Sequence, residues 1–251
     1  MGAQYRARPT MLTGMPASPA CVLASWLDPW LARACALCER RLRAPGAGLC
    51  RHCRLALPGG RRPRCARCGH GLAAPGDACP ACGTAGFAFV AALVLADYAA
   101  PLDRLITALK FHGDMALADA LGRELARALR GMARPPELLV PVPLSAARLR
   151  ERGYDQAARI AGALGRAAGI PVRARLRRVR ATLAQSSLPR PARLENLRGA
   201  FAVEPLATPL PERVALVDDV MTTGATLHAA ALALRAAGAT HISIVVAART
   251  P

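Results

Sequence analysis

Eight of the nine cysteines fall into four C-x-x-C pairs, Cys35/Cys38, Cys50/Cys53, Cys65/Cys68 and Cys79/Cys82. A turn with two residues between thiols aims both sulfurs at one point, and two such turns supply the four soft ligands of a tetrahedral zinc ion. Eleven residues separate the pairs of the first candidate site and ten those of the second, so the segment reads as one unit used twice. Sequential pairing is expected: Cys35, Cys38, Cys50 and Cys53 in one site, Cys65, Cys68, Cys79 and Cys82 in the other. A crossed pairing of the first couple with the third stays open. Disulfides fit poorly with the expected cytoplasmic location, and thioredoxin-like redox chemistry calls for one C-x-x-C beside a strand rather than four in a Gly- and Pro-rich context. His52 and His70 flank the clusters where no cysteine is missing and read as bystanders; Cys21 reads as a plain apolar residue or free thiol.

The second constellation is VALVDDVMTTGATL, residues 214–227. An apolar strand that ends in Asp218 and Asp219 places both acids at the C-terminal edge of a sheet, where open α/β folds bind ligands. The loop that follows, Thr222, Thr223, Gly224, Ala225 and Thr226, opens a helix. Helix N-termini offer N–H groups and a positive dipole end, Gly lets a ligand approach the backbone, and Thr hydroxyls add donors, so the loop suits a phosphate monoester. The paired carboxylates can accept hydrogen bonds from vicinal sugar hydroxyls. Together they ask for a ribose 5-phosphate. An ordinary helix cap accounts for one Thr or Asp, but not for two acids, three Thr and a Gly.

The elements that must hold these residues follow from periodicity. FVAALVLADY, ELLVPVP, VALV and HISIVVAAR read as strands; PLDRLITALKF, ALADALGRELARALRGM, DQAARIAGALGRAAG and ATLHAAALALRAAG read as helices. Such alternation implies an α/β fold with a mostly parallel sheet covered on both faces. Residues 1–34 are expected to be a partly disordered leader, or the first of them to follow a start codon misplaced upstream of Met11 or Met15. Residues 35–84 are expected to form a small double zinc ribbon, because no period there is long enough to bury a core, and residues 87–251 the α/β domain.

A net charge of +18, from 34 Lys and Arg against 16 Asp and Glu, suits anionic partners. GC-rich coding accounts for the same excess equally well, since Lys110 is the only lysine and alanine abounds. Ten arginines and one acid, Glu39, lie between Arg33 and Arg67, which suits electrostatic contact with a phosphate backbone. That segment has no Phe, Tyr or Trp, which argues against base stacking. No apolar run approaches the ~18–20 residues of a spanning helix, so no membrane insertion and a cytoplasmic location are expected. Trp26 and Trp30 read as cover for the chain's own apolar surface or, in a scaffold reading, as anchors for protein partners.

Residues 214–226 resemble the phosphoribosyl pyrophosphate (PRPP) motif of type I phosphoribosyltransferases. With LKFHGD (109–114), LLVPVPLSAARLRERGYDQA (138–157), RVRATLAQSSLPRPARLENLRGAF (178–201) and the Cys-rich front, the chain is similar to the ComF competence family over residues 35–249. That family commonly has Phe-Asn-Gln where this chain has Tyr154-Asp155-Gln156.

The resemblance implies a type I phosphoribosyltransferase-like fold behind the double zinc ribbon, PRPP bound with Mg²⁺, and a role with single-stranded DNA in natural transformation, alongside competence-machinery partners. It implies a pentosyl-transferring glycosyltransferase whose acceptor is not named, or, alternatively, a DNA-binding competence factor with a non-catalytic or regulatory PRPP site. PRPP would meet Asp218, Asp219 and residues 222–226. By analogy, the loop after LLVPVP would hold pyrophosphate, with Val142, Pro143, Leu144, Arg148 and Arg152 as candidates. Arg180, Thr182 and Gln185 would close over it as a lid, and Arg180 and Gln185 join the two acids as the catalytic set.

Overall fold

The computed structural model describes residues 34–42, 48–60, 62–83, 86–112, 115–179, 199–204 and 208–251. The Cys-rich part carries two short helices, α1 (Arg51–Leu55) and α2 (Pro80–Gly83), and two single antiparallel bridges, Ala34 to Arg41 and Arg64 to Gly71. Metal-type knuckles thus stand where longer ribbon strands would have required a core of their own. There follow β1 (Ala91–Asp97), α3 (Leu102–His112), α4 (Met115–Leu129), β2 (Leu138–Pro141), α5 (Ala146–Arg152), α6 (Gln156–Ala168), β3 (Leu176–Arg178), β4 (Phe201–Val203), β5 (Arg213–Met221), α7 (Ala225–Ala236) and β6 (His241–Arg249).

The four longer-range strands pair in the order β1-β6-β5-β2, all parallel, while β3 and β4 form a separate antiparallel pair. Successive side chains of a strand face opposite sides, and the burial follows that rule. Leu138, Val140, Val214 and Leu216 pack on one face with α7, β3 and β4, whereas Leu139, Ala215 and Val217 pack on the other with α3, α4 and α6. This is the mostly parallel, helix-covered sheet that the alternation of runs implied.

The two cysteine groups divide between those faces. Cys68 and Ala81 join the core under α7, and Cys35, Leu49, Cys53 and Leu57 join the core under α3 and α4. Between them the chain passes along β1, the edge strand: Ala92 N–H donates to Ala66 O at 2.8 Å and Asp97 N–H to Pro58 O at 2.7 Å. The edge is thereby capped rather than left as a template for further pairing. On the helical side Glu124, buried in α4, accepts from Leu49 N–H (3.3 Å) and pairs with Arg54 (2.7 Å) and Arg127 (2.9 Å), which fastens the first cysteine group to the sheet domain. The α4–α6 crossing is close because Gly122 has no side chain: a Cβ there would stand 2.5 Å from Ala163 Cβ.

One strand differs from its expected length. β5 does not stop at the acids but runs on to Met221, because β6 continues beside it and pairs Asp218 with Val246 and Met221 with Arg249. Asp is a poor strand former on its own, and the parallel neighbour outweighs that preference.

Candidate functional site

β2 ends at Pro141, opposite Val217, so its chain turns away just where β5 presents Asp218 and Asp219. The crevice opened by that divergence is a cavity of about 470 Å³. Pro143 cannot donate a ladder hydrogen bond, which ends the pairing. Ser145 then caps α5 through its hydroxyl, which accepts from Arg148 N–H at 3.3 Å. Asp155 caps α6 by accepting from Ala158 N–H at 3.0 Å, and its other oxygen accepts from Leu144 N–H at 3.2 Å. Asp155 therefore ties the loop after β2 to α6, a structural use for the residue that departs from the Asn common in the resembling family.

The cavity collects most of the residues singled out from sequence. Val142, Pro143, Leu144, Arg148, Arg152, Asp218, Asp219, Thr222 and Thr226 line it. Thr223, Gly224 and Ala225 shape the turn behind it: Thr223 Oγ1 accepts from Ala225 N–H at 3.4 Å, and Gly224 is the N-cap of α7 with φ of 81°. A Cβ on Gly224 would lie 2.5 Å from Met221 Cε and 2.9 Å from Phe87 Cε1, so both backbone angle and space require glycine. Arg180, Thr182 and Gln185 lie outside the described residues, as do Cys21, Trp26, Trp30 and residues 1–33.

Lys110, Tyr98, Gln156 and Arg178 also line the cavity and were not singled out for it. Lys110 did carry a signal, as the one lysine of an arginine-rich chain. Its Nζ pairs with Asp219 Oδ2 at 3.2 Å, while Asp219 Oδ1 accepts from Val220 N–H at 2.6 Å. Asp218 Oδ1 accepts from Asp219 N–H at 2.8 Å. Burial pushes the Asp218 carboxyl well above the usual range and the neighbouring Asp219 charge adds to this, against the opposing pull of the Asp219 N–H and Lys110.

Burial lowers the pKa of Arg178 and the charge of Arg148 lowers it further. The charge of Asp218 opposes both effects, so Arg178 lies within electrostatic reach of Arg148 and of the acidic pair. Arg178 lies over the Phe201 ring and Arg152 over Phe111, each 5.6 Å from the centroid, which holds the planes of both cations. Four cations and two adjacent carboxylates thus share one cavity, a suitable balance for a ligand with a polyanionic end and a hydroxylated end.

The cysteines gather as two groups of four, Cys35 with Cys38, Cys50 and Cys53, and Cys65 with Cys68, Cys79 and Cys82, each with its sulfurs within 4.8 Å of one another. The pairing is sequential, not crossed. A tetrahedral site with Zn–S bonds of about 2.3 Å has sulfur–sulfur edges of about 3.8 Å. The measured separations fit: 3.7 Å for Cys38 to Cys50, 3.7 Å for Cys65 to Cys82 and 3.5 Å for Cys68 to Cys79. Burial raises the Cys35 thiol, but backbone N–H groups, that of Cys50 foremost, outweigh it and bring the pKa to about 7; Cys65 reaches about 7 in the same way. Burial and the neighbouring sulfurs push Cys53 and Cys82 up instead, the tension that a divalent cation relieves. Neither His52 nor His70 joins a group.

The arginines of this segment are used differently from expectation. Arg54 pairs with Glu124, Arg62 and Arg64 with Asp97, and Arg67 donates to Phe87 O. These four hold the segment to the sheet domain, which leaves Arg40, Arg41 and Arg51 among its exposed cations.

No protein-family model matches the chain. Among known proteins it is similar to Competence protein F of Haemophilus influenzae, 33% identical over 217 residues that span 84% of this chain and 94% of that protein. It is also similar to DNA utilization protein YhgH of Escherichia coli K12, 32% identical over 225 residues covering 81% of this chain and 97% of that protein. Of solved structures, a glutamine PRPP amidotransferase from B. subtilis complexed with ADP and GMP aligns over 51% of this chain and 25% of its own, at 23% identity and a TM-score of 0.35. That superposition is too loose to transfer any residue.

Proposed function

The chain belongs to the ComF competence family, that of Competence protein F and the YhgH DNA utilization proteins, and from this we propose that it binds PRPP with Mg²⁺ and transfers the phosphoribosyl group during DNA uptake. One observation carries the reading: the adjacent acids of β5, the Thr-Gly turn into α7 and the cations Arg148 and Arg178 converge on one cavity. In this reading the 5-phosphate sits on the turn of residues 222–226, the ribose hydroxyls bond to Asp218 and Asp219, and pyrophosphate lies toward Leu144, Arg148 and Arg178.

Magnesium fits the acids. They are hard oxygen donors, and Asp219 Oδ2 is buried beside Lys110 without a well-directed hydrogen bond. When bound, Mg²⁺ supplies positive charge to the leaving pyrophosphate. The residues of the chain do the rest. Arg148 and Arg178 take up charge as the bond between the anomeric carbon and the pyrophosphate oxygen breaks, and the nearby carboxylates stabilise the oxocarbenium character left behind. An acceptor nucleophile then attacks that carbon. Arg180 and Gln185 are proposed to close over the pyrophosphate. Zinc in the two cysteine groups is proposed as structural, since four thiolates leave no open coordination position.

The family membership also supports single-stranded DNA as partner, competence-machinery proteins as neighbours, and a cytoplasmic place of action; no helix among the described residues is long and apolar enough to cross a membrane. The alternative is a DNA-binding factor whose PRPP site is regulatory. Pyrophosphate release from Mg²⁺–PRPP, measured with and without single-stranded DNA, separates the two. DNA-stimulated release that is lost in Asp218→Asn/Asp219→Asn supports transfer, whereas binding of PRPP without release under either condition favours the regulatory reading.

A further inference from the structure

Three strand ends lie side by side beneath the phosphate turn. Asp97 closes β1, Arg249 closes β6 directly opposite it, and Met221 closes β5 directly opposite Arg249. The next residue after Met221 is Thr222, whose carbonyl accepts from Arg249 Nη1 at 2.6 Å. Arg249 is buried, and a buried guanidinium is tolerated only with compensating charge and hydrogen bonds.

Asp97 is the acid of this row, and the second cysteine group holds it. Its carboxylate pairs with Arg64 at 2.9 Å and Arg62 at 3.5 Å, both within the turn that leads into Cys65. Arg64 in turn donates to Gly69 O and Gly59 O, so its guanidinium is shared between the cysteine loop and Asp97. Tyr98 N–H, one residue beyond Asp97, donates to Arg249 O at 2.7 Å, which ties the end of β1 to the end of β6.

We infer that Asp97 and Arg249 are positioning residues that link the second cysteine group to the phosphate turn, so that metal in Cys65, Cys68, Cys79 and Cys82 sets the order of residues 222–226. The link has direction: the metal fixes the turn before Cys65, Arg64 and Arg62 fix Asp97, Asp97 and Tyr98 hold the end of β6 at Arg249, and Arg249 holds Thr222 O. It rests on the proposed function only for what the turn binds. Coupling of this kind is a free energy shared between two sites, and breaking one member removes it.

The test is hydrogen–deuterium exchange of the full-length, zinc-loaded protein, read at peptides covering residues 221–227, alongside Mg²⁺–PRPP affinity. Asp97→Asn is expected to raise exchange in the turn at least tenfold with a similar loss of affinity, and Cys82→Ser to do the same. In Asp97→Asn the further effect of Cys82→Ser on the turn disappears, which a general loss of stability does not produce. Asp119→Asn, on the far side where Asp119 pairs with Arg123 and Arg166, leaves the turn unchanged. Should Asp97→Asn not fold, Arg64→Gln breaks the same link from the cysteine side. Unchanged exchange in folded Asp97→Asn or Arg64→Gln overturns the inference, as do additive effects in the double variant. Raised exchange in a protein whose wild type binds no PRPP supports the link and removes the PRPP reading.

Discussion

Lys110 Nζ stands 3.2 Å from Asp219 Oδ2, so the single lysine of the chain faces the acidic pair at the floor of the cavity. The ammonium compensates the Asp219 charge of a pair that the sheet forces together. Lys110→Met is expected to destabilise the ligand-free protein by about 1–3 kcal/mol, the usual cost of leaving a buried polar group without its partner. Urea unfolding at neutral pH measures it, and Mg²⁺ should restore part of the loss. An unchanged midpoint would show that the pair does not need its cation.

The raised Asp218 carboxyl gives a pH signature. The folded state holds this proton at pH values where the unfolded chain, with an ordinary Asp near about 3.9, has lost it. Its contribution to stability is therefore full below the unfolded pKa and falls away as pH rises through the raised folded one. Asp218→Asn keeps the neutral form at every pH. The variant should be more stable than wild type at pH 7, with the gap closing toward pH 4 in paired unfolding curves, and it should no longer bind PRPP. A gap that widens on acidification would contradict the assignment.

Gly224→Ala tests the turn itself. Its φ of 81° and the 2.5 Å approach to Met221 leave no place for a methyl group. A cost of about 1–3 kcal/mol is expected, together with loss of phosphate-ligand affinity beyond what the stability change explains. Affinity equal to wild type in the folded variant would mean the turn is not the anion site.

Zinc analysis should return two ions per chain. Cys65→Ser should remove one and leave the cobalt-substituted spectrum of the group containing Cys35 intact, as sequential pairing requires. Acidification should release both ions, because protons compete for the thiolates. A change in the first group's spectrum on Cys65→Ser would point to shared ligation.

Much of this was legible in the sequence, and the reason differs by feature. The cysteine groups were legible because ligand geometry lives in local spacing, and the sheet because buried parallel strands read as continuous apolar runs. The floor of the cavity was legible through Asp218, Asp219 and the Thr-Gly turn, which are contiguous. Arg178 was not, and Lys110 showed only as the single lysine, since α3 and β3 reach the cavity only through tertiary packing. The internal partners of four arginines in the Cys-rich segment were hidden for a related reason. Arg54 and Arg64 read as surface charge until Glu124 and Asp97, 70 and 33 positions away, are seen beside them. The length of β5 was hidden because its support comes from β6, not from its own residues.

The most direct test of the central claim is calorimetric titration of the zinc-loaded protein with PRPP, with and without Mg²⁺. The account predicts saturable binding at one site per chain, strengthened by Mg²⁺ and absent in folded Asp218→Asn/Asp219→Asn. No heat of binding with Mg²⁺ present, or equal affinity in the double variant, would contradict it.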